Sequence, residues 1–210
     1  GPNVKRYLRE IFTKAGIEDC LTVGELSSTS IEKSASYTNE KDGVLDMAFN
    51  FHHLKIDYTD GDKWSLGQMN FKSFFELLDN WQSKMQTLGG WPAWFMNNHD
   101  QPRAISRFSK NIDKYHFYVA TSLAMLTHFM RGTPYIYQGE EIGLKNPDFS
   151  SIDDYRDYES INYYKILLER GTSKEEAQEV LRQKSRDNGR IPLVWNSNEN
   201  GGFTKGKAWI

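Results

Sequence analysis

The chain has 210 residues, 38% hydrophobic and 14% aromatic, a globular composition long enough for one sizeable core. Its 26 basic and 28 acidic residues leave a net charge of −2, so no strong field draws it to nucleic acid or an anionic membrane, and a small molecule is the expected partner. No apolar run approaches the length of a membrane span and no signal peptide precedes the fold, which predicts a cytoplasmic home.

In chain order, Lys5 to Ala15 carries apolar residues at Leu8, Ile11, Phe12 and Ala15, a helical spacing closed by Gly16. Cys20, the single cysteine, excludes an intrachain disulfide and is expected to be a small buried side chain. Leu21 to Gly24 reads as a short buried strand ending at Glu25, and Val44 to Phe51 as a second strand ending in His52-His53. Asn70 to Leu88 is an amphipathic helix closed by Gly89-Gly90, and Ala93 to Asn97 a third strand. Tyr115 to Met130 is the longest apolar helix, and Gly132-Thr133-Pro134 opens a fourth strand, Tyr135 to Tyr137. Charged helices over Asp154 to Glu169 and Ser173 to Lys184 follow, then loop from Arg186 to Trp195. Strands alternating with helix-length connections predict an α/β fold with a parallel sheet. Four such strands are half of an eight-stranded (β/α)8 barrel, and half a barrel leaves two open edges. The expectation is therefore a partial catalytic domain over residues 1–210, with self-association of the half barrel as one way to cover its edges.

The chemistry concentrates where apolar runs stop. Trp94-Phe95-Met96 leads straight into Asn97-Asn98-His99-Asp100-Gln101-Pro102-Arg103, and Thr22-Val23-Gly24 into Glu25. Barrel strands deliver side chains to an active face in this way, and two acids aimed at one pocket are the equipment of glycoside hydrolysis. Singly, Glu25 reads equally well as a solvated or capping carboxylate, and Asn98-His99-Asp100 as a loop held by side-chain-to-backbone hydrogen bonds. His52-His53 are adjacent and point apart on a strand, and no cluster has metal-ligand spacing, so neither a metal nor another cofactor is expected.

Val23-Gly24-Glu25 with Leu26-Ser27-Ser28-Thr29-Ser30, the Asn98 to Arg103 run, Thr133 to Glu141 and Lys184-Ser185-Arg186-Asp187-Asn188 together resemble the α-amylase superfamily, glycoside hydrolase family 13, and within it the intracellular α-glucosidases. The resemblance implies barrel strands five to eight with their helices, an upstream half, and a C-terminal β-domain beyond Ile210. It places the general acid/base on Glu25, transition-state stabilisation on Asp100, and glucose binding on His99 and Arg186. The family's nucleophilic aspartate belongs to a Gly-Phe-Arg-x-Asp-like motif that occurs nowhere in these residues. The 210 residues alone are therefore expected to be inactive.

The neutral-sugar glucosidases usually carry Phe-Glu-His where this chain has Phe51-His52-His53. Loss of that negative charge, with Lys55 and Lys63 nearby in sequence, favours a phosphorylated sugar, and Leu26-Ser27-Ser28-Thr29-Ser30 after the acid resembles the phosphotrehalose-cleaving members. The resemblance implies a phosphorylated disaccharide, trehalose 6-phosphate, cleaved to glucose and glucose 6-phosphate. His52, Lys63 and Lys55 are then the candidate phosphate contacts, through charge-assisted hydrogen bonds worth about 1.5–3 kcal/mol each. Each lysine reads about equally well as a solvated loop residue. Trp64 is expected in the core, and Arg103 beside an acid beneath the site. An oligo-1,6-glucosidase or dextran glucosidase is the alternative. A catalytically silent, transporter-associated relative fits less well, because Glu25, Asp100 and Arg186 are all present.

Overall fold

The computed structural model describes residues 3–17, 19–109 and 111–210. The chain divides into two compact units, one formed by Gly1–Ile56, Met69–Phe95 and Thr127–Tyr135, the other by Asp57–Gln68, Met96–Leu126 and Ile136–Ile210.

The first unit holds the sheet. Strands β1 (Val23–Glu25), β2 (Met47–Phe49), β3 (Pro92–Trp94) and β4 (Thr133–Pro134) lie side by side in that order. Every neighbouring pair is parallel, with Gly24 opposite Ala48, Phe49 opposite Ala93, and Ala93 opposite Thr133. Parallel neighbours require crossovers. Helix α1 (Val4–Ala15) precedes β1, α2 (Ile31–Thr38) links β1 to β2, and α3 (Phe71–Thr87) links β2 to β3. The helix starts are written in single residues: Ser30 Oγ accepts from Lys33 N, and Asn70 Oδ1 from Ser73 N. Gly16 closes α1 at φ 65°, the left-handed region that favours glycine. Gly132 lets β4 come close, because a Cβ there would stand 2.5 Å from the Pro92 carbonyl oxygen.

Ile31 and Ala35 of α2 pack with Trp81 and Met85 of α3. A second cluster joins Phe51, Leu54 and Phe95, flanked by Phe49 and Tyr135. Burying one such large apolar side chain stabilises the fold by about 1.5–3 kcal/mol.

In the second unit, Trp64, Phe149, Tyr155, Val180 and Leu181 form the core beside α6 (Tyr158–Glu169) and α7 (Lys174–Lys184). Trp64 stacks on Tyr163 at 4.6 Å with the rings 9° from parallel, as the core assignment expects. Helix α4 (Ala104–Phe108) follows the Asn98 to Arg103 run, and α5 (Ile112–Phe129) is kinked at Tyr115.

Several expectations need correction. Leu21 to Gly24 is no buried strand: Val23 is 38% exposed, and among the described residues β1 pairs with β2 alone. Cys20 is exposed rather than buried. His52 and His53 stand in a 3-10 helix, His52–Lys55, after β2 has stopped at Phe49. Helix α2 falls in a segment given no element from sequence, although Ser30 as cap with Glu32 in the first turn marks its start. The fourth strand ends at Pro134, and Tyr137 turns back through hydrogen bonds with Glu140. Helix α5, apolar enough for a core, has Thr127 as its buried position among the described residues.

Candidate active site

Asp100 is the hub of the polar cluster in the second unit. Its backbone N–H donates to Asn98 Oδ1 at 2.9 Å, which sets the turn. Its Oδ1 accepts from Arg190 Nη2 at 2.7 Å and Arg186 Nη1 at 3.3 Å, while His99 Nε2 stands 3.6 Å from Oδ2. Arg190 Nε also donates to the His99 carbonyl at 2.7 Å, so one guanidinium fixes both the backbone and the carboxylate of this turn. Planar forked donors suit that task better than a lysine ammonium. Ser185 Oγ accepts from Asp187 N and starts the 3-10 turn Arg186–Gly189, which carries Arg186 and leads to Arg190. Asp187, itself buried, accepts the backbone N–H groups of Arg156 and Asp157 at 2.7 Å each.

Arg186 reaches Asp100 on one side and Glu159 on the other, with Asp157 at 3.6 Å from its Nε. Glu159 Oε2 also accepts from Lys63 Nζ at 2.6 Å, so one carboxylate oxygen bridges two cations. Burial pushes the Glu159 carboxyl up, but hydrogen bonds from Lys63 and Arg186 outweigh it and hold the group below the usual glutamate range. The same neighbour raises Arg186, against the opposing effect of burial. Lys63 thus stands over the Trp64 ring at 4.7 Å and already has an acidic partner.

The other predicted residues belong to the first unit. Glu25 ends β1 and is exposed. Lys55 Nζ donates to Ser27 O at 2.9 Å and Ser28 Oγ at 3.1 Å, which ties it to the loop directly after Glu25. His52 packs on Trp81 of α3 with ring centroids 4.9 Å apart, and its buried Nδ1 lacks a hydrogen-bond partner. Burial, helped by the charge of Lys55, pushes its imidazole below the usual histidine range, so it is neutral at pH 7 and can donate or accept but brings no charge.

Burial lowers the Arg103 pKa, and the nearby charges of Glu140 and Glu141 oppose that effect. The Arg103 guanidinium donates to the carbonyls of Gln138 at 2.7 Å and Gly189 at 3.4 Å and lies over the Tyr137 ring at 5.0 Å. Carbonyl partners spare this 1%-exposed cation from needing a buried carboxylate at contact distance. Sequence reasoning missed Arg190, Glu159 and Asp157. The available signal was a second arginine four residues after Arg186, around a buried Asp-Asn-Gly. Among the described residues no three His, Cys, Asp or Glu side chains gather into a metal cage.

A parallel sheet with interleaved helices, and a carboxylate held by arginines in the loop after its third strand, defines a protein of the parallel α/β barrel class. The family model for the α-amylase catalytic domain matches residues 1–210, and the chain belongs to that family. It is 47% identical to a trehalose-6-phosphate hydrolase of Bacillus subtilis strain 168, covering all of this chain and 37% of that protein. It is 42% identical to an oligo-1,6-glucosidase of Bacillus cereus, covering all of this chain and 38% of that one. The crystal structure of Bacillus licheniformis trehalose-6-phosphate hydrolase superposes with a TM-score of 0.93 at 49% identity, over all of this chain and 38% of that chain. The chain thus spans 37–38% of the length of these relatives.

Proposed function

We propose that the protein carrying these residues is a retaining α-glucosidase that hydrolyses trehalose 6-phosphate to glucose and glucose 6-phosphate. The observation that carries the reading is the Asp100–Arg186–Arg190 cluster with His99 beside it, in a chain so similar to two trehalose-6-phosphate hydrolases, at 46–47% identity. In this reading residues 1–210 are part of a catalytic barrel domain, and the protein works in the cytoplasm.

Glu25 protonates the departing glycosidic oxygen and later takes a proton from water, the double duty of a retaining acid/base. Asp100 accepts hydrogen bonds from the sugar as the ring flattens and gains positive charge; its negative charge then counts for more than in the ground state. His99 and Arg186 donate to sugar hydroxyls, and Arg190 orients Asp100. Retention also needs a nucleophilic carboxylate roughly 5 Å from the acid. The proposal takes that group from outside the 210 residues. Lys63, Lys55 and the neutral His52 are assigned to the phosphate, with Glu159 the anion that Lys63 must leave.

The test is made in the full-length protein. Glu25→Gln and Asp100→Asn should each lower kcat about 10²–10⁴-fold. Lys63→Ala should raise KM for trehalose 6-phosphate far more than for an unphosphorylated α-glucoside; equal rises would remove the phosphate assignment. The likeness to oligo-1,6-glucosidases favours a second reading, in which isomaltose-type substrates are the better ones and Lys63→Ala leaves the preference untouched.

A further inference from the structure

The second unit buries three ionised side chains together. Asp57, Arg107 and Lys184 are 5%, 6% and 5% exposed, and each comes from a different segment. Asp57 Oδ2 accepts from Arg107 Nε at 3.0 Å and from Lys184 Nζ at 2.8 Å, while Oδ1 accepts from Arg107 Nη2. Taking charges out of water costs several kcal/mol per ion, and well-packed apolar residues can replace buried ion pairs at no loss of stability. A trio of this kind is therefore weak evidence for stability alone. Its geometric reach is more telling.

Arg107 Nη1 extends beyond Asp57 to Gln101 Oε1 at 3.1 Å, and Gln101 directly follows Asp100. Lys184 ends α7 two residues before Arg186, whose guanidinium is 3.3 Å from Asp100. Asp57 itself opens the segment that carries Lys63. One carboxylate therefore fastens the loop bearing Asp100, the turn bearing its arginine partner, and the start of the Lys63 segment.

We propose that Asp57 is a positioning residue of this site: through Arg107 and Lys184 it fixes where Asp100 and Arg186 stand relative to each other. The inference rests on the reading that Asp100 and Arg186 act on the glucosyl group. A misplacement of about 1 Å in such a pair costs on the order of 10²-fold in rate.

The experiment uses the full-length protein and an aryl α-glucoside, with rates normalised to the folded fraction measured by circular dichroism. Asp57→Asn should lower kcat at least tenfold in the folded fraction and change KM less. Gln101→Leu breaks the Arg107 tie to the Asp100 loop without stranding a buried charge. It should lower kcat in the same direction, about threefold to tenfold, with the melting temperature unchanged. Wild-type kcat and KM in Gln101→Leu would overturn the proposal, and so would a folded Asp57→Asn protein of lower stability but unchanged kcat. If Asp57→Asn fails to fold, Gln101→Leu decides. Asp100→Asn separates the two levels. Full turnover in that variant sinks the reading of Asp100 itself; lost turnover there with unaffected Asp57→Asn and Gln101→Leu sinks only the positioning role.

Discussion

Glu159 sets the electrical surroundings in which Lys63 and Arg186 work. With one oxygen shared between the two cations, the phosphate that the proposed function assigns to Lys63 would compete with a carboxylate already in place. Glu159→Gln keeps the shape and removes the charge. Partly exposed pairs of this kind are worth about 1 kcal/mol or less. The expected result is therefore a roughly fivefold tighter inhibition by glucose 6-phosphate, with weaker binding of a plain α-glucoside as Arg186 loosens. Inhibition constants for glucose 6-phosphate and for glucose check this; a parallel change in both would show that the charge is not sensed by the phosphate. Asp100 and Arg186 stand in short motifs that the family resemblance singled out, and their side chains lie 3.3 Å apart. Glu159 and Arg190 were not legible in the sequence, since their partners lie 27 and 90 residues away and only tertiary folding brings them together. Lys63 shows the converse: its charge was plain from sequence, but the acid that occupies it was not.

Elements were legible where caps and periodicity agreed. Asn70 with Phe74, Leu78, Trp81 and Met85 marked α3 almost to the residue, because one cap and one buried stripe dictate it. The strands were read too long, since in a parallel sheet of two- and three-residue strands the apolar runs continue past the last ladder bond into buried turns, as Phe95 and Met96 do. Asn70→Ala should destabilise the protein by about 1 kcal/mol in a denaturant titration, through loss of the bond to Ser73 N. The α4 and α7 ends carry a pH signature as well. Burial pushes the Asp57 carboxyl up, but the hydrogen bonds and charges of Arg107 and Lys184 prevail and depress its pKa. A depressed carboxylate contributes stability above its unfolded pKa of about 4, and that contribution is lost as pH falls through the lower folded value. Thermal melts from pH 6 to pH 2.5 should show a fall that is shallower in Asp57→Asn, the remainder coming from other depressed carboxylates such as Asp157 and Glu159.

At the scale of the whole molecule, much apolar area faces outward. Phe117, Tyr118 and Phe129 of α5 are 70%, 68% and 80% exposed, and Tyr7 and Ile11 of α1 are 51% and 56% exposed. Scattered exposed apolar residues are ordinary, but aromatic faces along two helices are the kind of patch that other protein surface covers. β1 and β4 each present an edge without a strand partner among the described residues. The 210-residue polypeptide, prepared alone, should bind a hydrophobic dye strongly, sediment as a concentration-dependent mixture, and release no glucose from trehalose 6-phosphate. Glucose release from material free of any longer protein would refute the need for a nucleophile from elsewhere. The family was readable from four short motifs in order, and the parallel sheet from strands alternating with helix-length connections. Exposure was not, because the hydrophobic pattern of α5 records a face to be covered without saying by what.

The buried trio also makes folding a proton-exchange event on the alkaline side. Burial depresses the Lys184 ammonium, and Asp57 opposes that effect. Removing the carboxylate removes the opposition, so Asp57→Asn should make Lys184 release its proton more readily in the folded protein than in the unfolded chain. The unfolded state then binds more protons, and stability rises with pH between the folded value and the unfolded value of about 10.4. The variant should therefore gain stability with rising pH in the window below the unfolded value, and folding it within that window should discharge protons into the buffer, a quantity calorimetry in buffers of different ionisation enthalpy reads directly.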